Sequence, residues 1–194
     1  SANPDTFYPP NENARKNFTE KYDLEGSYFL SVSTLEPRKN LDILIDAFEL
    51  FLKENPEKHC KLVLAGGSGW KNDDLLTRIS NHPYIQKLGF VPDEDLPALY
   101  ANAVSLIFPS KYEGFGMPVL EASLCGTTTI ASDIDEIREA GGDDTIYVTP
   151  NALNIATAMK TIWDKRPDIT PSNYLTWKES GERIVRGLSI LTRK

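Results

Sequence analysis

From residue 28 onward, short apolar runs alternate with segments in which apolar residues recur every three or four positions. This alternation is typical of repeated strand–helix–strand units, in which helices join parallel strands and cover both faces of their sheet. We therefore predict an α/β fold with a doubly wound, mostly parallel sheet. Its strands are predicted at residues 28–33, 61–65, 85–91, 104–108, 128–131 and 146–148. The helices are predicted after Asn40, at residues 73–80, 93–101, 117–125 and 134–140, and after Asn151.

The same pattern divides the chain into three parts. Residues 1–26 are polar and rich in turn residues, which favours a linker or edge segment, and residues 27–166 hold the predicted sheet with its helices. Residues 167–194 are predicted to form a C-terminal helix, because Thr176 and Glu179 have the spacing of a capping box. That helix either packs on the domain or reaches toward another one. The chain starts without a methionine or a targeting segment, so we expect a piece of a longer protein.

The charge balance argues against a nucleic-acid-binding protein. The 21 Lys and Arg residues are outnumbered by 28 Asp and Glu residues, and the net charge is −7, whereas nucleic-acid binders are basic. No uncharged stretch reaches the ~20 apolar residues of a membrane-spanning helix. Cys60 and Cys125 lie far apart and fit no paired metal-binding spacing. We therefore expect a cytoplasmic protein whose two cysteines are buried, unreactive thiols.

Two adjacent cations follow the first predicted strand. Arg38 and Lys39 stand immediately before the helix that Asn40 is expected to cap. In an open parallel sheet, ligands collect at the carboxyl ends of the strands. A helix start adds unpaired N–H groups and a partial positive charge that attract an anion. Phosphate is the obvious candidate ligand, and the alternative is that both cations are solvated surface charges.

The loop after the fourth predicted strand is a second candidate anion site. Gly114 and Gly116 flank one aromatic residue, so the backbone can approach a ligand closely. Pro118 presets a helix whose free N–H groups face the loop. Glu113 precedes this helix and Glu121 lies about one turn into it. Such carboxylates can accept hydrogen bonds from the hydroxyls of a ribose or another sugar, or can stabilise positive charge on a sugar ring. The alternative is that both are surface glutamates around a turn.

Several other kinds of site are disfavoured by the sequence pattern. Residues 66–69 lack the Gly-x-Gly-x-x-Gly spacing of a dinucleotide-binding turn and are predicted to form a tight strand-to-helix turn. The sequence contains no Walker-type, Gly-x-Ser-x-Gly or paired-cysteine motif. The sequence therefore disfavours an ATPase, an ordinary hydrolase and a zinc protein.

Three segments in order, residues 32–40, 88–100 and 108–122, resemble the C-terminal domain of retaining glycosyltransferases of family 4. The resemblance extends over nearly the whole chain and includes the Glu-x7-Glu pair of the family, here Glu113 and Glu121. It implies a GT-B enzyme built from two Rossmann-like domains. This chain would be the half that binds the nucleotide-sugar donor, and an N-terminal half outside this sequence would carry the acceptor site.

The resemblance also implies a role for each residue of the predicted site. Lys39, helped by Arg38, would hold the donor diphosphate. Glu121 would bind the ribose hydroxyls, and Glu113 would be the catalytic residue that faces the transferred sugar. No metal or other cofactor is implied. Backbone groups would line the base pocket at Phe90 and Val91, and would contact the phosphates and the donor sugar at Gly114, Phe115, Gly116 and Met117.

Two positions depart from the family pattern. Ser33 and Thr34 stand where many members have Gly-Arg, so one phosphate-binding cation is absent unless Arg38 replaces it. Residues 137–139 read Ile-Arg-Glu where Leu-Pro-Glu is usual. Asp133, in the preceding loop, is therefore left out of the predicted site.

The function that the resemblance implies is transfer of a hexose from a nucleoside-diphosphate sugar to a glycan or lipid-linked glycan acceptor, with retention at the anomeric carbon. Members with a Thr-Leu-Glu-Pro-Arg-Lys-Asn loop are often mannosyltransferases, which favours GDP-mannose as the donor. Many relatives act on lipid-linked acceptors, so a peripheral place at the inner face of the membrane is compatible with the resemblance. The alternatives are a nucleotide-sugar-binding module without transfer activity and another GT-B enzyme such as a sugar epimerase. The isolated chain is expected to be inactive without its N-terminal domain.

Overall fold

The sheet predicted from the sequence is present in the computed structural model, which describes residues 3, 5–67, 69, 73–142 and 145–165. Its strands are β1 (Ser27–Val32), β2 (Cys60–Ala65), β3 (Ile85–Gly89), β4 (Ser105–Phe108), β5 (Thr129–Ser132) and β6 (Thr145–Val148). They form one six-stranded sheet in the order β3-β2-β1-β4-β5-β6, and every neighbouring pair is parallel. The predicted doubly wound α/β fold is confirmed.

Helices cover both faces of this sheet. The helices of the described part are α1 (Glu12–Tyr22), α2 (Leu41–Glu54), α3 (Asp73–Asn81), α4 (Leu96–Asn102), α5 (Met117–Leu124), α6 (Asp135–Gly141) and α7 (Ala152–Lys165). One apolar cluster includes residues of α1, α4, α5 and α6, and the other includes residues of α2, α3 and α7. Phe29 and Leu30 are neighbours in β1 and belong to opposite clusters, because strand side chains alternate between faces. Strands covered on both faces read as continuous apolar runs, as this sequence shows.

The strand order reverses next to β1, and this reversal positions the candidate site. The chain builds β1, β2 and β3 outward in one direction, and then crosses back to place β4 on the other side of β1. In open α/β sheets, ligands bind at the carboxyl ends of the strands at such a switch point. The loops that leave the sheet here carry Arg38 and Lys39 after β1, and Glu113 after β4.

The N-terminal segment contains an element that the sequence analysis missed. Residues 1–26 are predicted to be a linker or edge segment, and the structure forms α1 within them. The Asn11 side chain accepts a hydrogen bond from the Ala14 N–H as N-cap, and Asp23 ends the helix in the left-handed conformation. Phe18 is the buried residue of this helix. With one buried position in eleven residues, the segment shows no periodic pattern of apolar residues that would predict a helix. The helix is instead determined by its capping residues and by the packing of Phe18.

Two boundaries near the candidate site are shifted from their predicted positions. β3 ends at Gly89, where a φ of 72° turns the chain out of the sheet, and α4 begins at Leu96. Pro97 lies in the first turn of α4, as predicted, where its missing N–H removes no helical hydrogen bond. As a result, Phe90 and Val91 belong to a loop and not to a strand.

Some predictions concern residues outside those described. The C-terminal helix predicted at residues 167–194 is one of them, and the division of the chain into residues 1–26, 27–166 and 167–194 stays a prediction. Within the described residues, none of the helices has the length and apolar character that crossing a bilayer demands.

Gly66, at the end of β2, allows the chain to pass close to the loop after β1. A Cβ atom on Gly66 would lie 2.0 Å from the Ser33 carbonyl oxygen, and its φ is 134°. We expect Gly66→Ala to lower the free energy of unfolding by about 3 kcal/mol, because it adds both a backbone clash and backbone strain. Gly67→Ala is the matched control, since a Cβ there meets nothing within 4 Å. Urea unfolding of the two variants checks this, and equal midpoints for both would contradict it.

Candidate functional site

The loops after β1 and β4 lie against each other at the switch point. The Lys111 N–H donates a hydrogen bond to the Arg38 carbonyl oxygen (2.9 Å). A single 3-10 turn, Pro37–Lys39, shapes the first loop immediately before α2. The Lys39 ammonium lies 4.9 Å from the centre of the Phe108 ring, at the end of β4. The backbone of both loops and the Lys39 side chain therefore meet at this edge of the sheet.

Glu113 lies between the two predicted cations. Its Oε1 accepts a hydrogen bond from Lys39 Nζ at 2.5 Å, and its Oε2 accepts one from Arg38 Nη1 at 3.0 Å. The side chains of Lys39 and Glu113 are each 9% exposed. Charges withdrawn from solvent to this extent are not solvated surface groups, so that alternative is excluded for Lys39 and Glu113. We call Arg38, Lys39 and Glu113 the cation cluster.

Glu36 holds Arg38 from a second side. Arg38 Nε donates a hydrogen bond to Glu36 Oε2 at 2.9 Å. Hydrogen bonds from the Thr34 hydroxyl and from Arg38 lower the pKa of the Glu36 carboxyl. Thr34 is one of the positions that depart from the family pattern, and through Glu36 it helps to hold Arg38 beside Lys39. This is the arrangement that Arg38 needs if it replaces the absent phosphate-binding cation.

The start of α5 supplies backbone donors directly after Glu113. Gly116 is the N-cap with a φ of 93°, a left-handed conformation that favours glycine, and no side chain caps the helix there. The first N–H groups of an α-helix have no acceptor within the helix. A Cβ on Gly114 would meet nothing within 4 Å, whereas Phe115 and Met117 pack against the core. The loop therefore presents backbone groups, which is the property that an anion site requires.

Glu121 contacts Tyr100, a residue that the sequence analysis did not include in the site. The Tyr100 hydroxyl donates a hydrogen bond to Glu121 Oε2 at 2.7 Å, and Tyr100 is completely buried. Burial raises the pKa of the Glu121 carboxyl, and the hydrogen bond from Tyr100 opposes this rise. A buried phenol needs a hydrogen-bond partner. A tyrosine on the apolar face of a predicted helix therefore indicates a polar partner inside the domain, and this was the sequence signal for the contact with Glu121.

Phe90 and Val91 lie in the loop between β3 and α4. Val91 is buried and belongs to the same apolar cluster as Tyr100. Phe90 is 77% exposed. The loop is thus anchored through Val91 on the core that supports Glu121, while the Phe90 side chain projects from it.

Other residues considered in the sequence have structural roles. Asp133, left out of the predicted site, is exposed and pairs with Arg138 at 2.5 Å. Cys60 and Cys125 are buried free thiols, as predicted. Burial raises the pKa of Cys60 to about 11 and that of Cys125 to about 12, so neither forms a reactive thiolate at neutral pH. Across the described ranges, no three His, Cys, Asp or Glu side chains gather as a metal-ligand group.

Comparison with known proteins identifies the family. Residues 13–173 match the family of glycosyl transferases group 1. The chain belongs to this family. Among its relatives, the O-antigen chain mannosyltransferase B of Escherichia coli is 40% identical over 143 residues, which are 72% of this chain and 37% of the relative. The serotype-specific mannosyltransferase WbdA of Escherichia coli is 34% identical over 174 residues, which are 84% of this chain and 21% of WbdA. This glycosyl transferase group 1 chain therefore spans well under half the length of these curated relatives.

Solved structures share the fold of this glycosyl transferase group 1 chain. One is the C-terminal domain of the glycosyl transferase group 1 family protein LpcC from Francisella tularensis. It has a TM-score of 0.68 and 22% identity, over 84% of this chain and 88% of that one. Another is HepE from Anabaena in complex with UDP, with a TM-score of 0.71 and 20% identity, over 84% of this chain and 46% of that one. At these identities the likeness establishes the Rossmann-like fold.

Proposed function

We propose that this chain is the donor-binding domain of a retaining glycosyltransferase that transfers a hexose from a nucleoside-diphosphate sugar to a glycan or lipid-linked glycan. The observation that carries the proposal is the cation cluster: Arg38 and Lys39 converge on the carboxylate of Glu113, which is largely withdrawn from solvent, beside the start of α5. Two cations and a set of backbone donors at a switch point suit a diphosphate, which carries more charge than one carboxylate.

The diphosphate is proposed to bind between the cation cluster and the start of α5. Lys39 and Arg38 already hold one anionic group, so their side chains are in place before a ligand arrives. Hydrogen bonds to charged groups contribute about 1.5–3 kcal/mol each, and the start of a helix adds about 0.3–1 kcal/mol for an anion. The N–H groups of Gly114, Phe115, Gly116 and Met117 are proposed to supply the backbone donors.

The nucleoside is proposed to bind beside the diphosphate, toward α4. Glu121 lies on α5, and a carboxylate can accept hydrogen bonds from both hydroxyls of a ribose. The base is proposed to lie against the backbone at Phe90 and Val91, in the loop that leads into α4. Two contacts support this position of the base next to the ribose. Val91 and Tyr100 belong to the same apolar cluster, and Tyr100 donates a hydrogen bond to Glu121.

Glu113 is proposed to act on the transferred sugar. When the bond between the sugar and the diphosphate breaks, negative charge develops on the diphosphate and positive charge develops on the sugar ring. Preorganised cations and helix N–H groups stabilise the departing diphosphate, and a carboxylate near the ring stabilises its oxocarbenium-like state. Retention at the anomeric carbon is part of the proposal. Arg38, Lys39 and the helix N–H groups are proposed to stabilise the departing diphosphate without a metal ion, so added EDTA should leave the rate unchanged.

Mannose is the proposed sugar, and GDP-mannose the proposed donor. Two relatives are named as mannosyltransferases, whereas a solved neighbour holds UDP. Both bases therefore belong in the test. The acceptor is proposed to bind mainly to a second domain, since the curated relatives are much longer than this chain.

Calorimetric titration of this chain with GDP, GDP-mannose and UDP tests the donor site. We expect at least one of them to bind with a dissociation constant below about 1 mM, which corresponds to ~4 kcal/mol. Glu121→Gln should weaken binding at least tenfold, because the amide offers one acceptor oxygen where the carboxylate offers two. Asp133→Asn is the control and should bind as the unaltered chain does. The absence of heat with all three nucleotides, for a folded chain, would contradict the proposal.

A transfer assay distinguishes an enzyme from a binding module. The full-length protein that contains this chain should release nucleoside diphosphate from its sugar donor only when an acceptor glycan is present. Donor binding without transfer to any acceptor would favour the binding module, and interconversion of donor sugars without an acceptor would favour an epimerase.

A further inference from the structure

The hydrogen bond between Tyr100 and Glu121 joins a completely buried phenol to the carboxylate proposed to bind ribose. The donor and acceptor atoms are 2.7 Å apart, a normal length for a hydroxyl and a carboxylate. Tyr100 lies on α4, and Glu121 lies on α5, 21 positions along the chain. The contact therefore fixes the carboxylate relative to a second helix, independently of the rotamers that α5 alone would allow.

We infer that Tyr100 is a positioning residue for nucleotide recognition: its hydroxyl holds Glu121 Oε2 so that the remaining acceptor positions of the carboxylate meet the two ribose hydroxyls. This inference rests on the proposed function. Tyr100 has no exposed surface, so it acts through Glu121 and does not touch the ligand.

The acceptor count of a carboxylate makes this arrangement possible. Two oxygens offer about four acceptor positions. Tyr100 occupies one of them, which leaves Oε1 and one position on Oε2 for two donors. The phenol is neutral at any ordinary pH, because burial raises its pKa well above the usual value. Tyr100 is therefore always a donor toward Glu121 and never competes with ribose as an acceptor.

The hydrogen bond also supports the charge that ribose recognition needs. Burial raises the pKa of Glu121, which favours the protonated carboxyl, and the bond from Tyr100 opposes this effect. An ionised carboxylate accepts stronger hydrogen bonds than a neutral carboxyl. Loss of the phenol hydroxyl should thus weaken the hydrogen bonds between Glu121 and the ribose hydroxyls, with little effect on the binding of the diphosphate.

Tyr100→Phe tests the inference, with GDP and 2′,3′-dideoxy-GDP as probes. The unaltered chain should bind GDP at least tenfold more tightly than the dideoxy compound, since only GDP offers hydroxyls to Glu121. In Tyr100→Phe this preference should fall to about twofold or less, while the affinity for dideoxy-GDP stays within about twofold. A general loss of structure would weaken both ligands together, so the ratio separates positioning from stability.

Tyr28→Phe is the matched control. The Tyr28 hydroxyl is also buried and donates a hydrogen bond at 2.7 Å, but to the Leu99 carbonyl oxygen and not to Glu121. Tyr28→Phe should therefore keep the full preference for GDP. Should Tyr100→Phe fail to fold, NMR of the unaltered chain labelled at tyrosine Cζ gives a second reading. GDP, and not dideoxy-GDP, should then shift the Tyr100 signal, and equal shifts with both ligands would overturn the inference.

The possible outcomes separate this inference from the proposed function. If Tyr100→Phe retains the full preference for GDP, Tyr100 has no positioning role, while the ribose site at Glu121 stands. If the unaltered chain binds GDP or UDP no more tightly than the matching 2′,3′-dideoxy compound, or binds neither GDP nor UDP, the ribose site itself is wrong.

Discussion

A Lys39→Met chain is expected to lose at least 100-fold of its affinity for nucleoside diphosphates and about 3 kcal/mol of stability. The affinity falls because the ammonium that lies 4.9 Å from the Phe108 ring at the end of β4 is removed, and 100-fold is within the range of one or two charge-assisted bonds. The stability falls because Glu113, whose side chain is 9% exposed, then keeps only Arg38 as a cationic partner among the described residues. Breaking a buried pair by removing one partner costs about 3–5 kcal/mol.

The double variant Lys39→Met/Glu113→Gln separates these two effects. It removes the Glu113 charge together with the cation that Glu113 has lost, so most of the lost stability should return while the affinity stays low. Lys111→Met is the control for loss of a positive charge in the same region, because Lys111 is exposed. Calorimetric titration and urea unfolding of the variants provide both readings. A double variant that regains affinity along with stability would show that Lys39 acts on folding and not on the diphosphate.

Glu113→Gln is expected to reduce transfer about 100- to 1,000-fold in the full-length protein while nucleoside diphosphate binds as well as before or a few times more tightly. Transfer falls because the charge that stabilises the sugar in the transition state is gone, and one preorganised group contributes about 100- to 1,000-fold. Binding is kept because the substitution removes a negative charge beside the diphosphate and leaves both cations in place. Gln also retains an oxygen that can accept one of the two hydrogen bonds.

Glu121→Gln is the contrasting variant for this second prediction. It should weaken donor binding, whereas Glu113→Gln should spare it, so the two carboxylates are expected to separate into a binding role and a transfer role. Initial rates at saturating donor, measured beside the calorimetric dissociation constant, supply the comparison. If Glu113→Gln lowered affinity and left the saturated rate unchanged, Glu113 would be a binding residue only.

The sheet was predictable because each strand and helix carries a local signal. Apolar runs mark strands buried on both faces, and recurring apolar positions mark helices such as α2. Helix α1 was missed because Phe18 is its single buried residue. β3 was predicted too long because the sequence does not show that Gly89 adopts a φ of 72°.

The sequence shows which charged residues belong to the candidate site, but it does not show which of them form ion pairs and hydrogen bonds with each other. The loops with Arg38, Lys39 and Glu113 stand out in the sequence because they follow strands and precede helices. The ion pair between Lys39 and Glu113 spans 74 positions, and no local pattern predicts a contact at that distance along the chain. Tyr100 was missed for the same reason, since its partner lies on another helix.

A crystal structure of this chain with GDP-mannose tests the central claim most directly. The claim predicts the diphosphate against Lys39 and the N–H groups at the start of α5, with both ribose hydroxyls on the Glu121 carboxylate. Electron density for the nucleotide at any other edge of the sheet, or a ribose turned away from Glu121, would contradict it.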